Sequence, residues 1–389
     1  MEPHLKPAWL EINLSALLEN FKAIQSFLPS TKIIPVLKSD AYGMGCIEIA
    51  EALHQVGVDF FAVGNVAEAL KLEGLGGKIL LLHPPFPEEI PLIVEKKIVQ
   101  AVSTFETAKL LSEEGVRQQK QVKVHLKLNV GLNRLGFKPS EILRDIPAIS
   151  ALPSLCITGI FAHFSFADNF ESPVTLNEAA LFEETVQTLR KIGITVPFRH
   201  LCNSAGILNF PQFAFEGVRP GILLYGVKPA LATKHEIPLK SVVSLKSRVI
   251  HVLQVKKGEA VSYGGKWKAP EDGNLATISA GYADGISLSL SNRGEVLIRG
   301  ERFPIVGQVC MDLTVVSLGK KNVSVGDEVV FLGKQGNEEI GVLDWVLWGN
   351  LEPHEVLTGI GKKLPKKYLA YFSNERHSPK LVYPRHRDK

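Results

Sequence analysis

Between residues 32 and 218 the chain repeats one unit: a short apolar run, a break, a helix-like stretch, then another apolar run. The runs are KIIPVL (32–37), FFAVG (60–64), KILLL (78–82), IVQAV (98–102), VKVHLKL (122–128), LCITGIFA (155–162), FRHLC (198–202) and FAFEGV (213–218). Runs this short, most of them apolar throughout, suit strands buried on both faces, as in a parallel sheet. Segments such as CIEIAEALHQVG, NVAEALKLEGLG and PVTLNEAALFEETVQTLRKIG lie between them. The last opens with Pro173 after Ser172 and stops at Gly193, the usual marks of a helix start and end. Eight strand–helix repeats predict an α/β fold, an N-terminal (β/α)8 barrel of the TIM type, with a doubly wound open sheet as the second choice.

The pattern changes after about residue 235. From LKSVVSLKSRVIHVLQVKKGEAVSYGG onward, apolar residues alternate with period two, and Gly, Asn-Arg-Gly and Val-Gly-Asp turns break the runs. A C-terminal all-β domain is expected. At 389 residues the chain exceeds what one core serves well. The expected division is a cofactor-binding barrel over 10–235 and a β-rich domain over 236–389, with residues 1–9 joined to the latter.

Several functional classes fall away. Net charge is +4, with lysines scattered among acidic residues, so no nucleic-acid surface is indicated. The basic tail KLVYPRHRDK reads as a solvated terminus. No stretch approaches the roughly 20 apolar residues of a membrane span. The opening MEPHLKPAWLEINLSALL has no signal-peptide run. Cys46, Cys156, Cys202 and Cys310 stand far apart without a CxxC, which suggests neither metal site nor disulfide framework. The expected setting is the cytoplasm.

Catalytic groups of a βα barrel gather at the C-terminal ends of its strands. Lys38 ends the first run, Lys127 and Arg134 follow the fifth, and His163 ends the sixth. Asn203 and Ser204 follow the seventh, and Arg219 and Gly221 the eighth. So many basic and amide groups at strand ends suggest an anionic ligand. Taken alone, Lys38 is more simply a rim residue that snorkels to solvent. A lysine partly desolvated at a barrel mouth also has a lowered pKa and a free amine, able to form a Schiff base with a carbonyl cofactor. The loops NSAGIL and RPGILLYG stand where such barrels bind phosphate, with the Ser204 hydroxyl and the backbone of Gly221 and Ile222 available. Lysine and loops together read as a site for pyridoxal 5′-phosphate. Arg219 is the candidate partner of its ring nitrogen; always charged, it would leave that nitrogen unprotonated. Tyr263, in the glycine-flanked turn VSYGG, reads as ordinary turn packing or as a phenol projected toward another surface.

These residues fall within a longer set: AWLEINLSALLENFKAI, VLKSDAYGMG, GLNRLGF, FAHFSFAD, HLCNSAG, RPGILLYG, VSYGG, GYADGI, SNRGEVLIRGERFPIVGQVCMD and HEVLTGIGKKLP. In that order and spacing they resemble the alanine racemases, fold-type III pyridoxal-phosphate enzymes, nearly end to end. The resemblance implies a homodimer with shared active sites that interconverts L- and D-alanine for peptidoglycan. Lys38 would hold the cofactor and act as base on one face of the substrate α-carbon; Tyr263, from the partner subunit, would act on the other. Arg219 would face the pyridine nitrogen, and His163 would lie near the ring. Tyr42, Ser204, Gly221 and Ile222 would hold the phosphate, with Asn203 and His354 close by. Arg134 and the Met311 N–H would contact the substrate carboxylate. Lys127 would be the lysine that some members carry carbamylated, and Tyr282 an entrance residue. No metal is expected.

Two positions depart from the family pattern. Its Asp-Thr-Gly-Met is here Asn129-Val130-Gly131-Leu132, and its tyrosine before Glu-Val-Leu is here His354. The second change is expected to alter pocket size or pH response. Rival expectations are a racemase of serine or broader specificity, a decarboxylase of the same fold type, and a cofactor-binding barrel without catalysis. Decarboxylases use a cysteine motif in the β domain, whereas Cys310 in VCMD matches the racemase motif. Non-catalytic barrels lack the β domain altogether.

Overall fold

The computed structural model describes residues 7–360 and 364–369, so the basic tail lies outside the described residues. A first strand, β1 (Trp9–Asn13), precedes eight strands that match the eight apolar runs: β2 (Lys32–Ile33), β3 (Phe60–Val63), β4 (Lys78–Leu81), β5 (Val99–Val102), β6 (Val122–Lys127), β7 (Leu155–Phe161), β8 (Arg199–His200) and β9 (Gly217–Val218). Neighbours run parallel in the order β2-β9-β8-β7-β6-β5-β4-β3. β2 is short because Pro35, without an N–H, interrupts the ladder. Pairing resumes beyond it: Val36 bridges Ala62, Leu37 N donates to Ala62 O (2.8 Å), and Ala62 N donates to Pro35 O (2.9 Å). That contact joins first strand to second and closes the barrel, which rules out the open sheet.

Alternation along the strands sorts the side chains. Ile34, Val36, Phe60, Ala62, Leu80 and Val99 form one buried cluster inside the barrel. Their strand neighbours Ile33, Leu37, Phe61, Val63 and Leu81 belong to the larger core shared with the surrounding helices. His125, His200 and Arg219, all buried, lie within the same barrel.

The second sheet is organised by β10 (Val243–Val255), which pairs antiparallel with β1 and with the strands Gly273–Ile278 and Glu328–Gln335. β1 also pairs, in parallel, with Lys366–Leu369. Residues 9–13, assigned mainly to the barrel from sequence, therefore lie in this sheet. The expected Asn292-Arg293-Gly294 turn stands just before the strand Glu295–Ile298, and Arg299-Gly300 joins that strand to Glu301–Pro304. Arg299 (φ 54°) and Gly300 (φ 77°) are both left-handed, the two-residue turn whose twist matches a hairpin. Two helices complete this part, Val342–Gly349 and Pro353–Gly359. The latter returns to the barrel mouth: a Cβ on Gly43 would stand 3.5 Å from the carbonyls of Leu357 and Ile360. Among the described residues, no helix is long and apolar enough to cross a membrane.

Candidate active site

A cavity of about 460 Å³ opens at the C-terminal ends of the barrel strands. It is lined by Lys38, Tyr42, Lys127, Arg134, His163, Asn203, Ser204, Arg219, Gly221 and His354, residues scattered over more than 300 positions of sequence. Ile222 is fully buried beside them, at the start of the short helical turn Ile222–Tyr225.

Lys38 opens a compact turn. Ser39, Asp40, Ala41 and Tyr42 have φ of 56°, 55°, 53° and 59°: a left-handed helical turn built without glycine. Each such residue costs roughly 1–2 kcal/mol, so the turn must be held from outside. Ala41 N donates to Leu37 O (2.8 Å), and Gly43 N donates to Ser39 O (2.9 Å). Asp40 Oδ1 accepts from Cys46 N (3.1 Å). The Glu68 carboxylate bridges the turn to the end of β3, accepting from Ser39 N (2.6 Å) and Gly64 N (2.8 Å). Residues four apart on a helical turn share a face, and Lys38 and Tyr42 both reach the cavity.

Burial and then Arg134 hold the Lys38 ammonium below its ordinary pKa, while Glu68 acts in the opposite direction. Replacing Glu68 by alanine should therefore move the pH profile of Lys38 reactivity toward an aldehyde to lower pH. Its maximum rate should fall about tenfold or more, because the turn that aims the amine loosens. An unchanged maximum rate would show that the carboxylate does not position Lys38.

Opposite Lys38, Ser204 Oγ accepts from the N–H groups of Gly221 (3.0 Å) and Leu223 (3.4 Å). With both lone pairs engaged, its proton is free for an incoming acceptor. Gly221 must be glycine, since a Cβ there would meet Tyr42 Oη at 2.0 Å. Burial raises the Tyr42 phenol's pKa, so it stays protonated and able to donate. Asn203 caps the next helix through Gly206 N (2.9 Å) and reaches His163 Nε2 at 3.5 Å.

Arg219 is 4% exposed and has no carboxylate partner among the described residues. Its guanidinium donates to the carbonyls of His200 (2.7 Å), Ala162 (2.6 Å) and Leu201 (3.1 Å), and to His200 Nδ1 (2.8 Å). Burial lowers its pKa to about 10, so the charge persists at neutral pH. Lys127 lies over the Phe161 ring, 5.4 Å from its centroid. Burial, then Arg219, Arg134 and Lys38, lower its pKa to about 8, which leaves an appreciable share of free amine. Asn129 keeps the Arg134 loop folded: its Oδ1 accepts from Asn133 N (2.9 Å) and Gly131 N (3.3 Å). Among the described residues, four cations thus face the cavity against two carboxylates, Asp168 and Glu352.

Tyr263, Met311 and Tyr282 do not reach this cavity. They are 68%, 55% and 43% exposed on the β domain. Hydrogen bonds tie them into one surface: Tyr282 N donates to Cys310 O (2.9 Å), Ala283 N to Met311 O (2.9 Å), and the Ser262 hydroxyl to Gln308 O (2.6 Å). Left-handed Ser262 (φ 63°) and Gly264 (φ 71°) push Tyr263 outward.

The structure adds His83 and Glu68, which the sequence reading passed over. His83 lines the cavity and follows β4, so a complete inspection of strand ends would have found it. Glu68 gives no such signal, because it acts through backbone amides.

Lys38 and a set of cations at the strand ends, roofed by a helix from the β domain, make a barrel-mouth cavity suited to an anionic ligand. The model of "Alanine racemase, N-terminal domain" matches residues 12–229, and that of "Alanine racemase, C-terminal domain" matches 242–368. The chain belongs to the alanine racemase family, whose members are isomerases. It is 35% identical to the alanine racemase of Clostridium novyi over 375 residues, 95% of this chain and 97% of that one. The solved alanine racemase of Clostridium difficile 630 superposes with a TM-score of 0.89 at 32% identity, covering 97% of this chain and 98% of that one. The alanine racemase of Bartonella henselae, solved with covalently bound pyridoxal phosphate, gives a TM-score of 0.84 at 28% identity over 93% of this chain and 99% of that one.

Proposed function

We propose that the protein interconverts L- and D-alanine with pyridoxal 5′-phosphate, moving one proton off one face of the α-carbon and another onto the opposite face. The observation that carries this reading is Lys38, a half-buried amine with a lowered pKa, aimed into a cationic cavity by a turn that its surroundings hold in place. The residues present fit the cofactor: Lys38 would bind its aldehyde, while Ser204, Tyr42 and the Gly221–Ile222 backbone would surround its phosphate. Arg219 would donate to its ring nitrogen. Once bound, the cofactor supplies the electron sink that acidifies the α-carbon, a sink kept moderate because Arg219 donates but cannot give up a proton. The Lys38 amine exchanges a proton on its own face. Arg134 binds the substrate carboxylate.

Tyr263 serves the other face. In one chain it points away from the cavity, so in this reading it comes from a second copy, as does the Met311 N–H. D-alanine made in this way, in the cytoplasm, would supply peptidoglycan. Incubation with separate L-amino acids and cofactor in heavy water tests the assignment. Alanine should gain α-deuterium and lose optical purity, serine more slowly or not at all; the absence of both changes with alanine would overturn it.

His354 at the rim, 6.0 Å from the Tyr42 ring centroid, marks where this chain departs from the family pattern. Partial burial and the Lys38 charge hold its pKa below the ordinary 6.5, so it is neutral at neutral pH and charges only in acid. Protonation then adds a cation beside Lys38 and Tyr42. In His354→Tyr, kcat should fall less steeply below pH 6.5, and the alanine-to-serine ratio of kcat/KM should shift severalfold. Matching profiles for the two enzymes would remove any role for His354.

A further inference from the structure

We propose that the opposite, N-terminal end of the barrel carries a second site, for a small oxyanion such as phosphate or a short carboxylate, connected to Arg219 by a directional hydrogen-bond chain. The site is a separate cavity of about 280 Å³ among the strand starts, room for one such ion. Lys32, Lys78 and Lys123 surround it, with Asp59 as its only carboxylate. Asp59 is paired with Lys32 and also feels the Lys78 charge, but neither Lys78 nor Lys123 has an ion-pair partner among the described residues. Phe60 and Phe198 form apolar walls.

The chain begins in the upper cavity. Arg219 has only donors, so His200 Nδ1 must accept its bond at 2.8 Å. A neutral His200 then carries its proton on Nε2 and donates it to His125 Nδ1, also at 2.8 Å. That in turn places the His125 proton on Nε2. Burial and the nearby Arg219 charge keep both imidazoles neutral. His125 is 3% exposed and lines the lower cavity, and its Nε2–H meets no protein acceptor among the described residues. Its ring is fixed in place: a Cβ on Gly159 would come within 2.6 Å of its Cε1 and Nε2, and Phe60 packs edge-on at 5.9 Å. A donor at the cavity wall, set among ammonium groups without ion-pair partners, suits an anionic acceptor. Its arrival strengthens each successive bond back to Arg219, since hydrogen bonds in series polarise one another.

The site stands whether or not the racemase reading does, because binding is read without turnover. The test uses the cofactor-loaded protein, in which added phosphate cannot enter the upper cavity. Inorganic phosphate and, separately, succinate are titrated while the ring N–H signals of ¹⁵N-labelled histidine are followed. His125→Gln identifies the responding signal among the 11 histidines. A saturable shift of the His125 signal is expected, and the tighter of the two probes names the ligand. In K78A/K123A, two exposed positions that leave the fold intact, affinity should drop about tenfold or more. No saturable shift with either probe, or equal affinity in the double variant, would overturn the site. The bound cofactor's absorbance should also move on saturation. A constant spectrum would overturn the link to Arg219.

Discussion

Lys38→Ala is expected to abolish racemisation, a loss of about 10³-fold at least, together with the absorbance of covalently bound cofactor. The size of the effect follows from the absence of a substitute. Lys127 is the only other lysine among the described residues that line the cavity, and with its pKa lowered to about 8 its amine is available. Lys127 ends β6, but its amine lies over Phe161 among Arg219 and Arg134, away from the turn that carries Lys38 and Tyr42. Availability without aim does not replace a positioned nucleophile. The sign of the pH dependence follows from the same charges. Burial and Arg134 lower the Lys38 pKa from 10.5, so cofactor capture by the apoprotein should rise with pH and level off below that value. Retained absorbance in Lys38→Ala would assign the covalent bond elsewhere.

Mixing two inactive variants should restore activity. Tyr263→Ala alone should lose about 10²-fold or more, since one face of the α-carbon loses its proton carrier. If Tyr263 serves the partner's cavity, a Lys38→Ala/Tyr263→Ala mixed dimer has one doubly damaged site and one intact site. Half of a random mixture is such dimers, so about one quarter of all sites recover. If Tyr263 instead folded back onto its own cavity, every site in every combination would carry one lesion and nothing would return. Co-expression with two different affinity tags, followed by assay of doubly purified dimers, reads the difference directly.

Much of this arrangement was legible in the sequence because it depends on local spacing. The eight apolar runs became eight strands, and the residues just past them became the cavity lining, because a parallel barrel sends every strand's C-terminal end to one mouth. The left-handed turn was not legible. Ser39 and Ala41 have no intrinsic preference for positive φ, and the long-range contacts that help hold the turn come from Glu68, 29 residues away from Ser39, and the packed helix Pro353–Gly359.

The sequence by itself determined the two architectures, the strand ends that bear cations, and the residue types able to bind an aldehyde and a phosphate. Periods of 2.0 and 3.6 residues and the reach of a single loop are enough for that. Only the tertiary structure decided which groups meet. It brought His354 from the far end of the chain to the rim and left Tyr263, Tyr282 and Met311 together outside it. It also stacked His125, His200 and Arg219 into one line through the barrel. Those contacts depend on barrel closure and inter-strand register, which arise from pairing between segments distant in sequence rather than from any local pattern.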